Sequence, residues 1–119
     1  MRRIWRATRN TINGLRAAAG SEAAFRQELV ALALAIPLAF AVASDAWTWL
    51  ALIGVVLAVL VVELLNTAIE EVADRVTQDH DVMIGRAKDM GSAAVGLTLL
   101  IAGLVWLLAI WERLSDLLR

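Results

Sequence analysis

Three long runs of apolar residues alternate with short polar segments along the chain. The runs cover roughly residues 29–43, 46–62 and 90–111. A helix needs about 20 predominantly apolar residues to cross a bilayer core, and each run approaches that length. A helix in a soluble bundle would carry polar residues at every third or fourth position, and these runs lack them. The pattern predicts an all-α protein with three transmembrane helices, at about 28–44, 46–70 and 90–112.

The segment before the first run has a different pattern. Over residues 1–20, isolated Ile, Trp and Leu residues alternate with arginine and asparagine. This alternation is typical of an amphipathic helix that lies on a membrane surface. We therefore expect an N-terminal surface helix, after which Ser21 can cap the next helix. Residues 71–89 would form a cytoplasmic segment between the second and third spans, within a single membrane domain of residues 1–119.

Basic residues are distributed unevenly around the three runs. Six arginines precede the first run and three basic residues lie between the second and third, whereas the link at Ser44–Asp45 has none. Because basic loops stay in the cytoplasm, the N-terminus is expected to be cytoplasmic and the C-terminus outside. Four tryptophans fall near the expected outer ends of the spans, as an aromatic belt would: Trp47, Trp49, Trp106 and Trp111.

Composition narrows the possible classes of function. Hydrophobic residues make up 61% of the 119 residues, and the mean hydropathy is +0.72, which exceeds that of an ordinary soluble domain. A net charge of −1 gives no general attraction to nucleic acid, so no nucleic-acid partner is expected. The absence of cysteine excludes disulfides and thiolate metal sites. The sequence contains neither a Walker loop nor a glycine-rich kinase loop.

The second apolar run ends in a stripe of polar residues. Glu63, Asn66 and Glu70 recur at intervals of three and four, so they share one face of a helix. Asp74 continues the same face. Ionisable groups at the edge of a hydrocarbon core are costly, and they usually serve ions, protons or a substrate. We expect the chemistry of the protein to be centred on this stripe.

Two further charged clusters precede the first and third spans. One contains Glu22, Arg26 and Glu28, and the other contains Lys88 and Asp89. Antiparallel packing of three spans would bring both clusters to the level of the stripe. Carboxylates suit Mg²⁺ that is shared with substrate phosphates, and lysine binds phosphate as a point charge. The residues alone indicate an interfacial site for an anionic or phosphorylated partner, although Arg26 and Lys88 could instead reach lipid headgroups.

These segments resemble the bacterial diacylglycerol kinase family of small integral-membrane lipid kinases. The tracts that carry the resemblance are Gly14–Ala18, Glu22–Glu28, Glu63–Glu70, Asp74–Arg75 and Gly85–Val95. The resemblance implies a homotrimer in the bacterial inner membrane, with active sites shared between neighbouring subunits. It also implies a Mg²⁺-dependent transfer of the γ-phosphate of ATP to the hydroxyl of diacylglycerol, which gives phosphatidic acid.

The same resemblance implies roles for individual residues. Glu63 is expected to be the general base on the lipid hydroxyl, and Glu22 and Glu70 are expected to be Mg²⁺ ligands. The expected ATP contacts are Arg3, Asn10, Glu22, Glu70, Asp79, Asp81, Lys88 and Asp89. The expected lipid contacts are Arg16, Arg26, Glu28, Glu63, Asn66 and Ser92. Asn10 stands where an aromatic residue is expected in relatives, which leaves the contacts to adenosine open.

Two alternative functions stay open at this point. Relatives that phosphorylate undecaprenol share the implied architecture, although the tract Glu22–Glu28 looks more like the diacylglycerol branch. A small channel or a proton-coupled exporter would also carry a membrane glutamate. Its key acid would more often lie in the middle of the membrane, whereas these acids cluster at one interface.

Overall fold

The computed structural model describes all 119 residues, which form four α-helices and no strands. The helices are α1 (Arg2–Ser21), α2 (Ala23–Val42), α3 (Ala46–Val76) and α4 (Val82–Leu117). The last three are long and apolar enough to cross a membrane, so the predicted all-α class with three candidate spans is confirmed. At 1.5 Å per residue, α3 and α4 are about 46 and about 54 Å long, longer than a hydrocarbon core of about 30 Å.

The central helix of the bundle is α3. It packs along both α2 and α4, whereas α2 and α4 scarcely touch each other. An apolar cluster around the fully buried Leu52 joins these three helices. A second cluster contains Ala18, Phe25 and Leu60, and it attaches the C-terminal end of α1 to the bundle. The buried polar residues of the bundle, Glu63, Asn66 and Thr67, all belong to this central helix.

Most apolar side chains point away from the bundle. Only 14 of the 119 residues are buried, and large apolar residues are exposed along the whole length of α3 and α4. A soluble monomer rarely exposes apolar surface on this scale. In a bilayer, lipid chains cover such surface without cost. The burial pattern therefore agrees with the hydropathy of the three long helices.

The turn between α2 and α3 is closed by Asp45. Its carboxylate accepts hydrogen bonds from the backbone N–H of Thr48 at 2.7 Å and from the Thr48 hydroxyl at 3.2 Å. These bonds cap the N-terminus of α3, because they satisfy a backbone donor that has no partner within the helix. They also hold the pKa of Asp45 below its usual range, the backbone hydrogen bond being the larger cause.

The tryptophans of the predicted belt lie at this same end of the bundle. The indole nitrogen of Trp106 donates a hydrogen bond to the carbonyl of Leu52 at 3.1 Å, and Trp49 packs into the same apolar cluster. Trp47 and Trp111 are exposed. Two of the four tryptophans thus stabilise the bundle and two face outward. The side of the membrane that this end faces stays a prediction.

The prediction that Ser21 caps α2 is wrong. Glu22 occupies the N-cap position, with extended backbone and no side-chain cap. Ser21 is the last residue of α1, and its hydroxyl donates to the carbonyl of Ala17 at 2.9 Å. A serine inside the last turn of a helix commonly bonds back to the carbonyl four residues earlier. The break between the two helices therefore lies one residue later than the sequence indicated.

Candidate active site

Four glutamates converge at the end of the bundle away from Asp45. Glu63 interacts electrostatically with Glu22 and Glu70, and Glu28 interacts with Glu63. Glu22 is the N-cap residue of α2 and Glu28 lies in its second turn, whereas Glu63 and Glu70 lie in the second half of α3. None of the four forms an ion pair. Like charges that are grouped without a counter-ion create a negative potential, which attracts cations.

The polar stripe of α3 lies at the centre of this cluster. Glu63 is 7% exposed and Asn66 is 8% exposed. The amide nitrogen of Asn66 lies 3.5 Å from a carboxylate oxygen of Glu70, at the outer limit of a hydrogen bond. The amide oxygen of Asn66 and one oxygen of Glu28 are buried without any partner. Buried polar atoms without partners are rare in native proteins, and such atoms often mark functional positions.

Helix α4 approaches the stripe at Gly91. A Cβ added there would overlap the amide oxygen of Asn66, and it would lie 3.3 Å from Cγ of Asn66 and 3.7 Å from Cδ1 of Ile69. At each of the other six glycines, an added Cβ would meet nothing within 4 Å. Sequence reasoning did not single out Gly91, because nothing in the local pattern distinguishes it from the other glycines. The contact between Gly91 and Asn66 depends on the register of α4 against α3, which the sequence pattern does not give.

A single ion pair ties α4 to α3 beside this site. The ammonium nitrogen of Lys88 lies 2.6 Å from a carboxylate oxygen of Asp74. Both side chains are partly exposed, at 39% and 50%. An ion pair of this exposure contributes little to stability. Its main effect is to hold the only lysine of the chain in one direction.

Two other predicted site residues contact the backbone. Asp81 caps α4, because its carboxylate accepts a hydrogen bond from a backbone N–H of the first turn at 3.0 Å. The guanidinium of Arg26 donates to the carbonyls of Ala19 at 2.8 Å and Gly20 at 3.4 Å. Arg26 therefore caps the C-terminus of α1, where a positive charge is also favourable for the helix dipole.

The remaining predicted residues are exposed and make no side-chain hydrogen bond within the chain. They are Arg3, Asn10 and Arg16 on α1, Asp79 in the turn before α4, and Asp89 and Ser92 on α4. A single protomer therefore brings together the four glutamates, Asn66 and Gly91. It does not bring the α1 residues into contact with them. The predicted roles of these exposed residues stay predictions.

One protomer supplies only part of the coordination that a divalent metal needs. No group of three or more Asp, Glu or His side chains is placed to hold a metal ion by itself. Mg²⁺ usually takes only one or two carboxylates, and phosphate oxygens and waters complete its coordination. Glu22 and Glu70 both interact with Glu63 and can supply two carboxylates. The residues present fit Mg²⁺ that arrives with a polyphosphate.

Fold and site together define a small helical membrane protein with an acidic site between its helices. Residues 9–110 match the prokaryotic diacylglycerol kinase family. The chain is 47% identical over 111 residues to a diacylglycerol kinase of Escherichia coli, covering 93% of this chain and 91% of that protein.

Two further relatives are also called diacylglycerol kinase. The one from Haemophilus influenzae is 40% identical over 99 residues, covering 83% of this chain and 84% of the relative. The one from Pseudomonas aeruginosa is 40% identical over 106 residues, covering 89% of this chain and 86% of the relative. The chain belongs to the prokaryotic diacylglycerol kinase family.

The Asp74→Asn substitution is expected to release Lys88 from its ion pair. Since Lys88 is the only lysine, acylation with an amine-specific reagent, followed by peptide mass spectrometry, reports on this one side chain. We expect faster acylation, with a change of less than about 1 kcal/mol in the free energy of unfolding. Glu71→Gln, which removes an exposed acid without an ion pair from the same helix, is the matched control. An acylation rate unchanged by Asp74→Asn would contradict the ion pair.

Proposed function

We propose that this protein is a diacylglycerol kinase that transfers the γ-phosphate of ATP to the hydroxyl of diacylglycerol, giving phosphatidic acid. The observation that carries the proposal is the convergence of Glu22 and Glu70 on the buried Glu63, with the buried Asn66 in contact with Glu70. It occurs in a chain whose relatives in three bacteria are called diacylglycerol kinase. The acids lie at one end of the apolar helices, where the hydroxyl of a membrane lipid would be.

Glu63 is the proposed general base. Its carboxylate accepts the proton of the lipid hydroxyl while the hydroxyl oxygen forms a bond to the γ-phosphorus. The bond from that phosphorus to the β,γ-bridging oxygen breaks, and ADP leaves. The burial of Glu63 supports this role, because a base that is shielded from water stays directed at the substrate.

Glu22 and Glu70 are the proposed ligands of Mg²⁺. When bound, Mg²⁺ would neutralise the charge of the phosphate oxygens, which is a large part of catalysis in phosphoryl transfer. The absence of any ion pair to these glutamates supports the proposal, because their charge is otherwise uncompensated. Asn66 holds Glu70 through the contact between amide nitrogen and carboxylate oxygen.

The other proposed contacts surround this centre. Lys88, which is directed by Asp74, supplies a positive charge for a phosphate oxygen. Further proposed ATP contacts are Arg3, Asn10, Asp79, Asp81 and Asp89. Proposed lipid contacts, beside Glu63, are Arg16, Arg26, Glu28, Asn66 and Ser92.

We infer that α1 lies on the cytoplasmic surface of the bacterial inner membrane. Residues 2–17 of α1 are exposed although they include Ile4 and Trp5, and a membrane surface would cover these apolar side chains. The basic residues then put the N-terminus and the acidic site in the cytoplasm and the C-terminus outside. A homotrimer would bury part of the exposed apolar surface of the long helices. It would also allow α1 residues of one subunit to reach the site of a neighbour.

A phosphate-transfer assay tests the proposed activity. The purified protein is given Mg²⁺ and ATP labelled in the γ-phosphate, with diacylglycerol or undecaprenol in separate micelles, and the extracted lipid is counted. We expect the label in phosphatidic acid, and none in lipid when ATP is labelled in the α-phosphate. Preferential labelling of undecaprenol would contradict the proposed substrate. If neither lipid is labelled, the proposed kinase activity is contradicted. A channel or an exporter would then be the better interpretation of the sequence.

The Glu63→Gln substitution is expected to lower kcat by about 100-fold or more, because the amide cannot accept the proton of the hydroxyl. The exposed Glu71→Gln is the control and is expected to keep wild-type kcat. Circular dichroism and size-exclusion chromatography should show unchanged helix content and assembly. Near-normal turnover of Glu63→Gln would remove Glu63 as the base.

The Glu70→Ala substitution is expected to raise the Mg²⁺ concentration needed for half-maximal activity, or to abolish activity, because one proposed ligand is lost. Glu112→Ala, near the far end of α4, is the control. The readout is a Mg²⁺ titration at saturating ATP. A titration curve that coincides with that of the wild type would exclude Glu70 as a ligand.

A further inference from the structure

We propose that Gly91 is a positioning residue of the active site. The absence of a side chain at this position lets α4 lie directly against the amide of Asn66, and that amide holds Glu70. The inference deepens the proposed kinase function, on which it rests. Gly91 itself would touch neither the lipid nor the nucleotide.

The position of Gly91 within α4 is the first support. Of the 36 residues of α4, only Gly91 and Ala109 are buried. Ala109 belongs to the apolar cluster around Leu52, near the opposite end of the bundle. Gly91 is therefore the one buried residue of α4 near the polar stripe. This close contact shields the amide of Asn66 from water on the side of α4.

The space around Gly91 is the second support. The atom that an added Cβ would overlap is the amide oxygen of Asn66. This oxygen is buried and has no hydrogen-bond partner, so no bond holds it in place. An alanine at position 91 would therefore displace the Asn66 side chain before it displaced the backbone of either helix. Ile69 limits the space on the neighbouring side, because its Cδ1 would lie 3.7 Å from the new Cβ.

A displacement of Asn66 matters because its contact with Glu70 is weak. The amide nitrogen of Asn66 is already 3.5 Å from the carboxylate oxygen of Glu70, and a longer separation is no hydrogen bond. A shift of Asn66 that lengthens this separation, or a rotation of its amide, breaks this contact. Glu70 then loses the group that holds its carboxylate. Positional errors of about 1 Å at a reacting centre can lower a rate by about 100-fold.

A double-mutant cycle tests the proposal. The four proteins are the wild type, Gly91→Ala, Asn66→Ala and the double variant, with Gly103→Ala as a control on the same helix, where an added Cβ meets nothing within 4 Å. We expect Gly91→Ala to lower kcat by about 10-fold or more and to raise the Mg²⁺ requirement. In the Asn66→Ala background, Gly91→Ala should cause no further loss, because the overlapping side chain is gone. Gly103→Ala should match the wild type.

A binding measurement separates this proposal from the proposed function. Mn²⁺ binding in the presence of a non-hydrolysable ATP analogue, followed by electron paramagnetic resonance, needs no turnover. We expect weaker Mn²⁺ binding in Gly91→Ala than in Gly103→Ala, and equal binding in Asn66→Ala and the double variant. If the wild type transfers no phosphate, the proposed function is contradicted. The Mn²⁺ binding data still show whether Gly91 positions the acidic site.

Three outcomes would overturn the role of Gly91. The first is a Gly91→Ala protein with wild-type kcat and Mn²⁺ binding. The second is a loss in the double variant that equals the sum of the two single losses. The third is a failure of both Gly91→Ala and the double variant to fold, since alanine at position 66 leaves room for the Cβ. Folding of the double variant alone would support the overlap with Asn66.

Discussion

Burial of polar groups beside apolar helices is the constraint on which this structure depends. A carboxylate or amide without polar surroundings is costly in such a place, and α3 carries both on its inner face, at Glu63 and Asn66. The N-terminal end of α2 brings two further glutamates close to Glu63, which adds like-charge repulsion to the cost of burial. Where α4 meets Asn66 it carries Gly91, which leaves the amide its space. The outer faces of the long helices carry no comparable requirement and expose many large apolar side chains.

The grouping of the four glutamates lowers the stability of the folded chain and creates a negative potential that attracts cations. Four neighbouring carboxylates without an ion pair repel one another, and two buried oxygens lack any hydrogen-bond partner. Each of these features destabilises the folded chain. A divalent ion with its phosphates would relieve the repulsion, and in phosphoryl transfer such charge neutralisation supplies much of the catalysis. The site is thus strained in the manner expected of a functional position.

The sequence predicted the elements that follow from local periodicity. Long apolar runs predicted the three candidate spans, and the spacing of Glu63, Asn66 and Glu70 predicted their shared face. The contacts that depend on the register between helices could not be predicted. Gly91 meets Asn66, and Lys88 meets Asp74, only because α4 packs against α3 at one particular height. The prediction that Ser21 caps α2 was wrong because α1 continues through that residue.

Anomalous diffraction from crystals grown with Mn²⁺ and a non-hydrolysable ATP analogue tests the central claim most directly. The account predicts a manganese peak bounded by the carboxylates of Glu22 and Glu70, with phosphate oxygens completing its coordination. A peak held by Asp79 and Asp81 instead, with none at the glutamates, would contradict the account.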